Sequence, residues 1–247
     1  MAKGKLIVID GTDGSGKTDQ TKLLVLRLLA EKFQVKEESY PTYGRPSAKG
    51  VELYLNGTFG SPEEVGPYYG SMFYSFNRGK ETGPMKKDLD DGINYVLNRY
   101  HSANGGHQGG KIRDEKERKE YLDWLYDLEF NKFKNPRPDL NIFLHMPPVI
   151  GQVLVGRKAP EQRAYLTNGK TKDIHENSLQ HLLDAEQAYL YMAHNYPGWV
   201  TVSCVKPELE GNLSIINDTQ IPPEEKIKTP QQIREEVYSH TIKILKP

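Results

Sequence analysis

The chain has 247 residues, in which 33 lysines and arginines balance 33 aspartates and glutamates. This zero net charge argues against a protein that binds nucleic acid by bulk electrostatics, since such proteins carry a basic excess. The single cysteine excludes an internal disulfide framework and a cysteine-rich zinc site. Cys204 lies in the apolar run of residues 199–205, so we expect a buried, unreactive thiol.

The sequence gives no sign of a membrane or secretion segment. No apolar run approaches the roughly 18 to 20 residues that cross a bilayer, and the apolar part of residues 1–9 is too short for a secretion signal. We therefore expect a cytoplasmic protein with no membrane partner. The length is sufficient for a substantial core.

The first forty residues predict a strand, a helix and a second strand. Residues 6–9 form a short apolar run next to glycine, which is typical of a strand buried on both faces. Residues 16–33 place apolar side chains four positions apart and carry a charged face, which predicts an amphipathic helix. Residues 34–40 return to an extended pattern that stops at Pro41. This is a βαβ unit, for which we expect a right-handed crossover.

The rest of the chain continues the alternation of strands and helices. Three later apolar runs are predicted strands, namely residues 93–97, 140–144 and 199–205. Helical spacing occurs over residues 114–133 and 173–193. The alternation predicts a mostly parallel sheet with helices on both faces. Residues 206–230 are rich in proline and acids and read as an irregular excursion before a final helix at residues 231–245.

A glycine-rich loop follows the first predicted strand and fits the pattern G-x-x-x-x-G-K-[ST]. Its residues are Gly11, Thr12, Asp13, Gly14, Ser15, Gly16, Lys17 and Thr18. Such a loop turns backbone N–H groups toward phosphate oxygens at a helix N-terminus, where the helix dipole is positive. Lys17 is positioned to reach the β- and γ-phosphates, and the Thr18 hydroxyl to ligate Mg²⁺. The strand before the loop and the helix after it predict a site for a nucleoside triphosphate.

The phosphate acceptor is not defined by the loop alone. A GTPase would carry a base-reading Asn-Lys-x-Asp, and the nearest run, residues 131–134, lacks the acid. A motor or helicase would need more chain and a clearer acidic strand end. Arginines near glycine and proline turns recur after the loop, which suits a small kinase that must hold two anionic substrates.

Together with the loop, several later segments resemble the thymidylate kinase (dTMP kinase) family from residue 3 to about residue 193. These segments are Tyr40-Pro41-Thr42, Tyr74-Ser75-Phe76-Asn77-Arg78, Asn98-Arg99-Tyr100 followed by His107-Gln108-Gly109-Gly110, Pro138-Asp139-Leu140, and Asp173-Ile174-His175-Glu176. The resemblance implies an α/β fold of the P-loop NTPase type, a three-layer sandwich with a parallel sheet flanked by helices on both faces. It further implies one domain over residues 1–247 with a mobile lid at about residues 156–172.

The resemblance also implies an activity and its partners. A member of this family would transfer the γ-phosphoryl group of ATP, with Mg²⁺, to dTMP and release dTDP. Its partners would be these small molecules and a second copy of the chain in a homodimer, with no nucleic acid. Since the phosphate loop of this chain has no basic residue at positions 14 and 15, the resemblance assigns the transition-state charge to lid arginines, Arg157 and Arg163.

By the same resemblance, acceptor roles fall on residues of three segments. Tyr74 would stack on the pyrimidine, Arg78 would donate to a base carbonyl, and Gln108 would read the N3–H and O4 edge. Arg99 would hold the monophosphate through its planar fork. Arg45 has two open interpretations, a second phosphate contact or a turn cap before Pro46.

Two further residues would face the acceptor sugar. Asp13 would accept from the 3′-hydroxyl or, alternatively, shape the loop. By the same resemblance, His107 would stand near the 2′ position, where the family usually has tyrosine.

Four departures from the family pattern lie near the predicted acceptor site. They are Asn98 in place of aspartate, Ala103 in place of a small hydroxyl residue, His107 in place of tyrosine and His145 in place of an acid. These departures leave two alternatives open. One is a kinase for another pyrimidine nucleotide, such as dUMP, or for a nucleoside. The other is a nucleotide-binding switch that has lost catalysis.

Overall fold

A five-stranded parallel sheet lies at the centre of the part of the chain that the computed structural model describes, residues 3–157 and 179–246. Its strands are β1 (Leu6–Gly11), β2 (Val35–Ser39), β3 (Asn94–Asn98), β4 (Leu140–His145) and β5 (Trp199–Ser203). Their order across the sheet is β2-β3-β1-β4-β5, with every neighbouring pair parallel. The predicted strands and their parallel pairing are confirmed.

Helices cover both faces of this sheet. In chain order they are α1 (Lys17–Ala30), α2 (Lys49–Leu55), α3 (Pro62–Asp90), α4 (His101–His107), α5 (Glu115–Tyr126), α6 (Pro148–Gly156), α7 (Leu179–Asn195), α8 (Leu213–Ile216), α9 (Pro223–Lys226) and α10 (Pro230–Leu245). Within the described ranges, none of them has the length and apolar character needed to cross a membrane.

The side chains of β1 alternate between two cores, as expected for a strand buried on both faces. Ile7 and Ile9 pack in one core with Leu24 of α1 and Val237 of α10. Leu6 and Val8 point the other way, into a second core that includes Met85 and Leu89 of α3. The three-layer arrangement that the sequence predicts is therefore present.

The sequence pattern did not reveal α3, although it spans 29 residues. Its start has a capping box, in which Ser61 accepts from the Glu64 N–H and Glu64 accepts from the Ser61 N–H. Gly66 then adopts φ 71°, ψ 171° and interrupts the helix before Pro67. Interruptions by glycine and proline hide the 3.6-residue period, so the helix is held mainly by packing rather than by local propensity.

The helix predicted over residues 114–133 is present, but its type changes part-way along. A regular α-helix ends at Tyr126, and residues Asp127–Lys132 continue as a π-helical turn. The wider turn rotates later side chains relative to an α-helix. As a result, Glu129 is fully buried although it lies in a charged stretch of sequence.

The excursion at residues 206–230 has more structure than predicted. It contains a 3₁₀ turn (Pro207–Leu209), α8 and α9, and its end returns to the sheet edge through a bridge between Val205 and Ile227. Ile216 is buried in the core beside α10, and the buried Lys226 donates to the Ile216 carbonyl. An inner apolar face therefore anchors this segment.

Two further predictions concern residues near the sheet edge and the lid. Cys204 is fully buried, as expected, and burial raises the pKa of its thiol to about 12. The predicted lid, residues 156–172, lies outside the described residues except for Gly156 and Arg157. The predicted helix at 173–193 is described from Leu179 as α7.

Candidate active site

The phosphate loop joins the carboxyl end of β1 to the N-terminus of α1. Gly14 has φ 85°, and a Cβ there would lie 2.4 Å from the Gly151 carbonyl oxygen of α6, so only glycine fits. Gly16, with φ 81°, precedes the first residue of α1. This geometry presents backbone N–H groups at a helix N-terminus, as phosphate binding requires.

A buried carboxylate holds the start of the loop. One oxygen of Asp10 accepts from the Gly11 N–H and from the Tyr189 hydroxyl of α7, each at 2.8 Å. The other oxygen accepts from the Ser102 hydroxyl of α4 at 2.7 Å. The carboxylate therefore fixes the loop relative to both of these helices.

The loop's polar side chains have the chemistry of a triphosphate and metal site. The buried Lys17 ammonium donates to the Thr12 carbonyl at 2.9 Å. Ser15 Oγ and Asn98 Oδ1 are buried and have no hydrogen-bond partner among the described residues. The amide nitrogen of Asn98 lies 3.4 Å from the Thr18 hydroxyl. The Ser15 hydroxyl can donate to a phosphate oxygen, and the Thr18 hydroxyl oxygen can ligate Mg²⁺. An unpaired buried polar group is costly unless a ligand satisfies it.

Asp13 and Arg99 form an ion pair across the mouth of the loop. Arg99 Nη2 donates to Asp13 Oδ1 at 2.5 Å, and Lys17 Nζ lies 3.7 Å from the same oxygen. Burial alone would raise the pKa of Asp13, but the positive charges of Arg99 and Lys17 outweigh it and hold the pKa well below its usual range. Asp13 is therefore an anion that balances two cations of the phosphate-binding region.

The backbone of Arg99 is in the left-handed region, with φ 65°. A side chain other than glycine in this region costs about 1–2 kcal/mol, so the surrounding structure must hold it there. The residue directly follows β3, whose carboxyl end lies beside that of β1. Such strain at a strand end is typical of a functional position.

A cavity of about 250 Å³ opens beside the phosphate loop and collects most of the predicted acceptor residues. Its lining includes Asp13, Thr18, Tyr74, Arg78, Arg99, His107 and Gln108. They come from the loop, from α3, from the end of β3 and from α4 with the residue after it. The sequence brings them together because β1 and β3 are adjacent and parallel, so their carboxyl ends share one edge.

Arg78 lines this cavity, and one edge of its guanidinium is paired with a buried carboxylate. Its Nε and Nη2 donate to the carboxylate of Glu129, with the shortest contact at 2.6 Å, and both side chains are buried. Burial alone would lower the pKa of Arg78, but the charge and hydrogen bonds of Glu129 raise it. The guanidinium is therefore a charged donor in a fixed orientation.

Gln108 also lines the cavity and lies beside Tyr54, whose hydroxyl is also contacted by Lys111. Its amide oxygen and nitrogen are 3.5 and 3.4 Å from the Tyr54 hydroxyl. Lys111 Nζ donates to that hydroxyl at 2.8 Å and to the Pro62 carbonyl at 3.0 Å. Burial lowers the pKa of Lys111 to about 8.

Of the remaining predicted arginines, the two described ones, Arg45 and Arg157, do not line this cavity. Arg45 forms exposed ion pairs with Glu38 and Glu81, and its carbonyl accepts from the Ala48 N–H at 2.9 Å. This arrangement favours the turn interpretation of Arg45. Arg157 is exposed and forms an ion pair with Glu224. Arg163 lies outside the described residues.

The four departures from the family pattern lie in different surroundings. Asn98, Ala103 and His107 line the acceptor cavity. His107 Nε2 is 3.2 Å from Arg99 Nη1, and burial lowers the pKa of the imidazole well below its usual range. His145 instead lies 2.8 Å from Glu186 of α7, away from the cavity. Three departures, not four, therefore lie at the cavity where the acceptor residues are predicted.

Comparison of the sequence with known proteins identifies the family of this chain. The sequence model of the family described as thymidylate kinase matches residues 9–194, three quarters of the chain. This chain belongs to the thymidylate kinase family. Similar proteins include the thymidylate kinases of Schizosaccharomyces pombe, 28% identical over 60% of this chain, and of Homo sapiens, 26% identical over 58%. The matched regions span 64% and 62% of those relatives, less than two thirds of their length.

The sequence of this thymidylate kinase family member does not reveal two residues that support the site, Glu129 and Tyr54. Glu129 is hidden because only the π-helical turn carries it inward from a charged segment. Tyr54 lies on α2, a short helix whose period is not visible in the sequence. Arg78 and Glu129 are 51 positions apart, and Tyr54 and Gln108 are 54 positions apart. The spacing of residues within one segment cannot reveal such contacts.

Proposed function

We propose that this member of the thymidylate kinase family transfers the γ-phosphoryl group of ATP to a pyrimidine deoxynucleoside monophosphate, with dTMP as the principal acceptor, and releases dTDP and ADP. The observation that carries the proposal is the position of Arg99. It stands between the phosphate loop and a cavity lined by aromatic and amide side chains, with its guanidinium paired to Asp13 of that loop.

The donor triphosphate fits the loop by the chemistry of its groups. Backbone N–H groups at the start of α1 and the Lys17 ammonium supply positive charge to the β- and γ-phosphates. Ser15 Oγ offers a further polar contact. Mg²⁺, when bound, neutralises phosphate charge, and the Thr18 hydroxyl is the oxygen ligand that would hold it, while the amide nitrogen of Asn98 faces that hydroxyl.

A second cavity is suited to the nucleoside part of the donor. It is lined by Val149, Ile150 and Val153 of α6 and by residues 219–223 of the excursion. Because Gly151 of the same helix packs against the phosphate loop, this cavity is close to the loop. Its mixed apolar and polar lining, with Arg157 at one side, suits a purine base.

The acceptor is oriented by groups at both ends of the first cavity. An incoming monophosphate competes with Asp13 for Arg99, whose planar fork suits two phosphate oxygens. Tyr74 offers a ring face for the base, while Arg78 and Gln108 offer donors and an acceptor to its edge. Phosphoryl transfer needs little covalent chemistry from the protein, so positioning and charge neutralisation carry the rate.

The lid is the remaining part of the proposed site. Arg157 and Arg163 are the lid arginines that we assign to the charge of the transferring phosphoryl group, as the family resemblance implies. A closed lid would also exclude water and suppress hydrolysis of ATP. Arg157 is paired with Glu224 on the surface, so this role requires that the ion pair exchange its carboxylate for phosphate.

We also propose a homodimer formed through α3. Tyr69, Met72 and Phe76 form an exposed apolar stripe, spaced by three and four residues, with exposed fractions of 71%, 52% and 50%. Gly83 continues this face two turns further along and has open space where a Cβ would be. One stripe of large side chains followed by a small residue suits a second copy of the same helix, packed about a twofold axis.

The proposed reaction is tested by measuring ADP formation from ATP with a panel of acceptors. The panel contains dTMP, dUMP, dCMP, UMP and thymidine, each with Mg²⁺. We expect ADP formation to depend on added monophosphate and to be fastest with dTMP. Fastest turnover with another acceptor would contradict the dTMP assignment, and ADP formation that ignores every acceptor would contradict a kinase.

A further inference from the structure

A buried ion pair lies at the wall of the acceptor cavity, which its arginine lines and its carboxylate supports from behind. Arg78 and Glu129 are 2% and 0% exposed, and the contacts of Arg78 Nε with both Glu129 oxygens measure 3.1 and 3.2 Å. Burying two charges is costly unless their geometry and hydrogen bonds are nearly complete, so such a pair is weak evidence for stability alone. Its place in the wall of a binding cavity points to a role in recognition.

Glu129 is held by an arrangement that fixes its direction. It lies in the middle of the π-helical turn Asp127–Lys132, an irregularity that frequently marks functional positions. Its second oxygen accepts from Asn135 Nδ2 at 2.7 Å, and the Thr82 hydroxyl of α3 donates to Asn135 Oδ1 at 2.8 Å. Glu129 therefore cannot change its direction without breaking a chain of buried hydrogen bonds.

This pairing decides what Arg78 can recognise. Nε and Nη2 are directed to Glu129, which leaves Nη1, held only by a long 3.3 Å hydrogen bond to the Tyr100 carbonyl. A guanidinium has donors and no acceptor, so it favours a carbonyl oxygen over an amino group. Because Glu129 neutralises the charge, the pair attracts an anion less than a lone arginine would. Arg78 is thereby suited to a neutral base and not to the phosphate.

We propose that Glu129 is a positioning residue for base selection, which holds Arg78 so that it donates to a pyrimidine carbonyl and discriminates against a pyrimidine carrying an amino group at that position. This inference rests on the proposed function, since it assumes that a pyrimidine monophosphate occupies the cavity. In the absence of the Glu129 charge, Arg78 becomes an unpaired cation that also attracts the acceptor phosphate and lets it bind unproductively.

The test compares Glu129→Gln with the unaltered protein in kinetics with dTMP and dCMP. We expect the KM for dTMP to rise about tenfold, as for loss of a hydrogen bond to a charged group, with kcat within about threefold and the KM for ATP unchanged. The preference for dTMP over dCMP, measured as a ratio of kcat/KM, falls by about tenfold or more. Asp127→Asn is the matched control, because it removes an exposed carboxylate from the same turn and leaves all of these values unchanged.

The outcomes are distinct. A folded Glu129→Gln protein with unaltered dTMP KM and unaltered preference would overturn the inference, as would an equal loss of kcat with both acceptors at constant KM. If thermal unfolding shows that Glu129→Gln is not folded, the double variant Arg78→Met with Glu129→Leu removes the pair as a whole and is better tolerated in a core. Retention of the dTMP preference by that variant would also overturn it.

A third measurement separates this inference from the proposed function. Binding of dTMP and dCMP is measured by calorimetry without ATP. If the unaltered protein turns over no monophosphate, the proposed function fails, while the effect of Glu129→Gln on the ratio of the two dissociation constants still tests the inference. We expect that ratio to move toward one, and an unchanged ratio would overturn the inference.

Discussion

Replacing Arg99 by alanine and by glycine separates its side chain from its backbone. Both variants remove the guanidinium that pairs with Asp13 at 2.5 Å, so both lose the proposed contact with the acceptor phosphate. They differ in how well they tolerate φ 65°, the left-handed conformation of this residue. The pair of variants thus tests the chemistry and the geometry of the site in one experiment.

The magnitudes follow from these two features. Alanine in a left-handed conformation destabilises the folded protein by about 1–2 kcal/mol. Glycine tolerates this conformation, but it destabilises the fold by about 0.4–1 kcal/mol because it raises the conformational entropy of the unfolded chain. The glycine variant is therefore expected to be more stable than the alanine variant by about 1 kcal/mol. Loss of the charged hydrogen bonds to phosphate, about 1.5–3 kcal/mol, raises the KM for the acceptor by about tenfold to a hundredfold in both.

The assays are urea denaturation for stability and initial rates with varied dTMP for KM. Arg45→Ala is the matched control, because its side chain is exposed and does not line the cavity, so its KM stays within about threefold. An alanine variant as stable as the glycine variant would refute the left-handed backbone at this position. An unaltered acceptor KM, or an equal rise of the KM for ATP, would refute the phosphate contact.

The remaining predictions address the loop, the base end of the cavity and the dimer. Lys17→Ala is expected to lower kcat by about a thousandfold or more with unchanged circular dichroism; retained turnover would contradict the role of the loop. Burial lowers the pKa of Lys111 to about 8 from its ordinary 10.5, so between these values the unfolded chain binds more protons and the free energy of unfolding rises with pH. Urea denaturation at pH 8 and 10 measures this rise in the free energy of unfolding, and we expect Lys111→Met to abolish it. An equal rise in the variant would show that another group causes it. Met72→Asp places a charge on the exposed stripe of α3 and is expected to convert a dimer to a monomer in sedimentation experiments, whereas an unaltered sedimentation coefficient would place the interface elsewhere.

The sequence predicted the parts of the fold that local periodicity and turn chemistry determine. Four of the five strands follow from short apolar runs, β2 from the extended pattern before Pro41, and α1 from one helical stripe. The phosphate loop follows from its glycines and lysine. Leu29 is an exception, because it continues the apolar spacing of α1 but is half exposed. Periodicity shows which side of a helix is apolar and does not show how wide the buried strip is.

The parts that the sequence did not predict depend on contacts between distant segments. The capping box and the interruption at Gly66 set α3, and its glycines and prolines conceal the helical period. The ion pair of Arg78 with Glu129 depends on a π-helical turn, which no spacing rule marks. The left-handed Arg99 results from tertiary packing after β3 and has no counterpart in local propensity. Residue types could be assigned to the acceptor site from the sequence, whereas their pairing partners could not.

The proposed reaction of this protein is transfer of a phosphoryl group from ATP to dTMP. The most direct measurement separates the products of a reaction containing ATP, Mg²⁺ and dTMP by anion-exchange chromatography and follows them with time. We predict that dTDP and ADP form in equal amounts and that neither forms when dTMP is omitted. Formation of ADP with inorganic phosphate and without dTDP would contradict the claim.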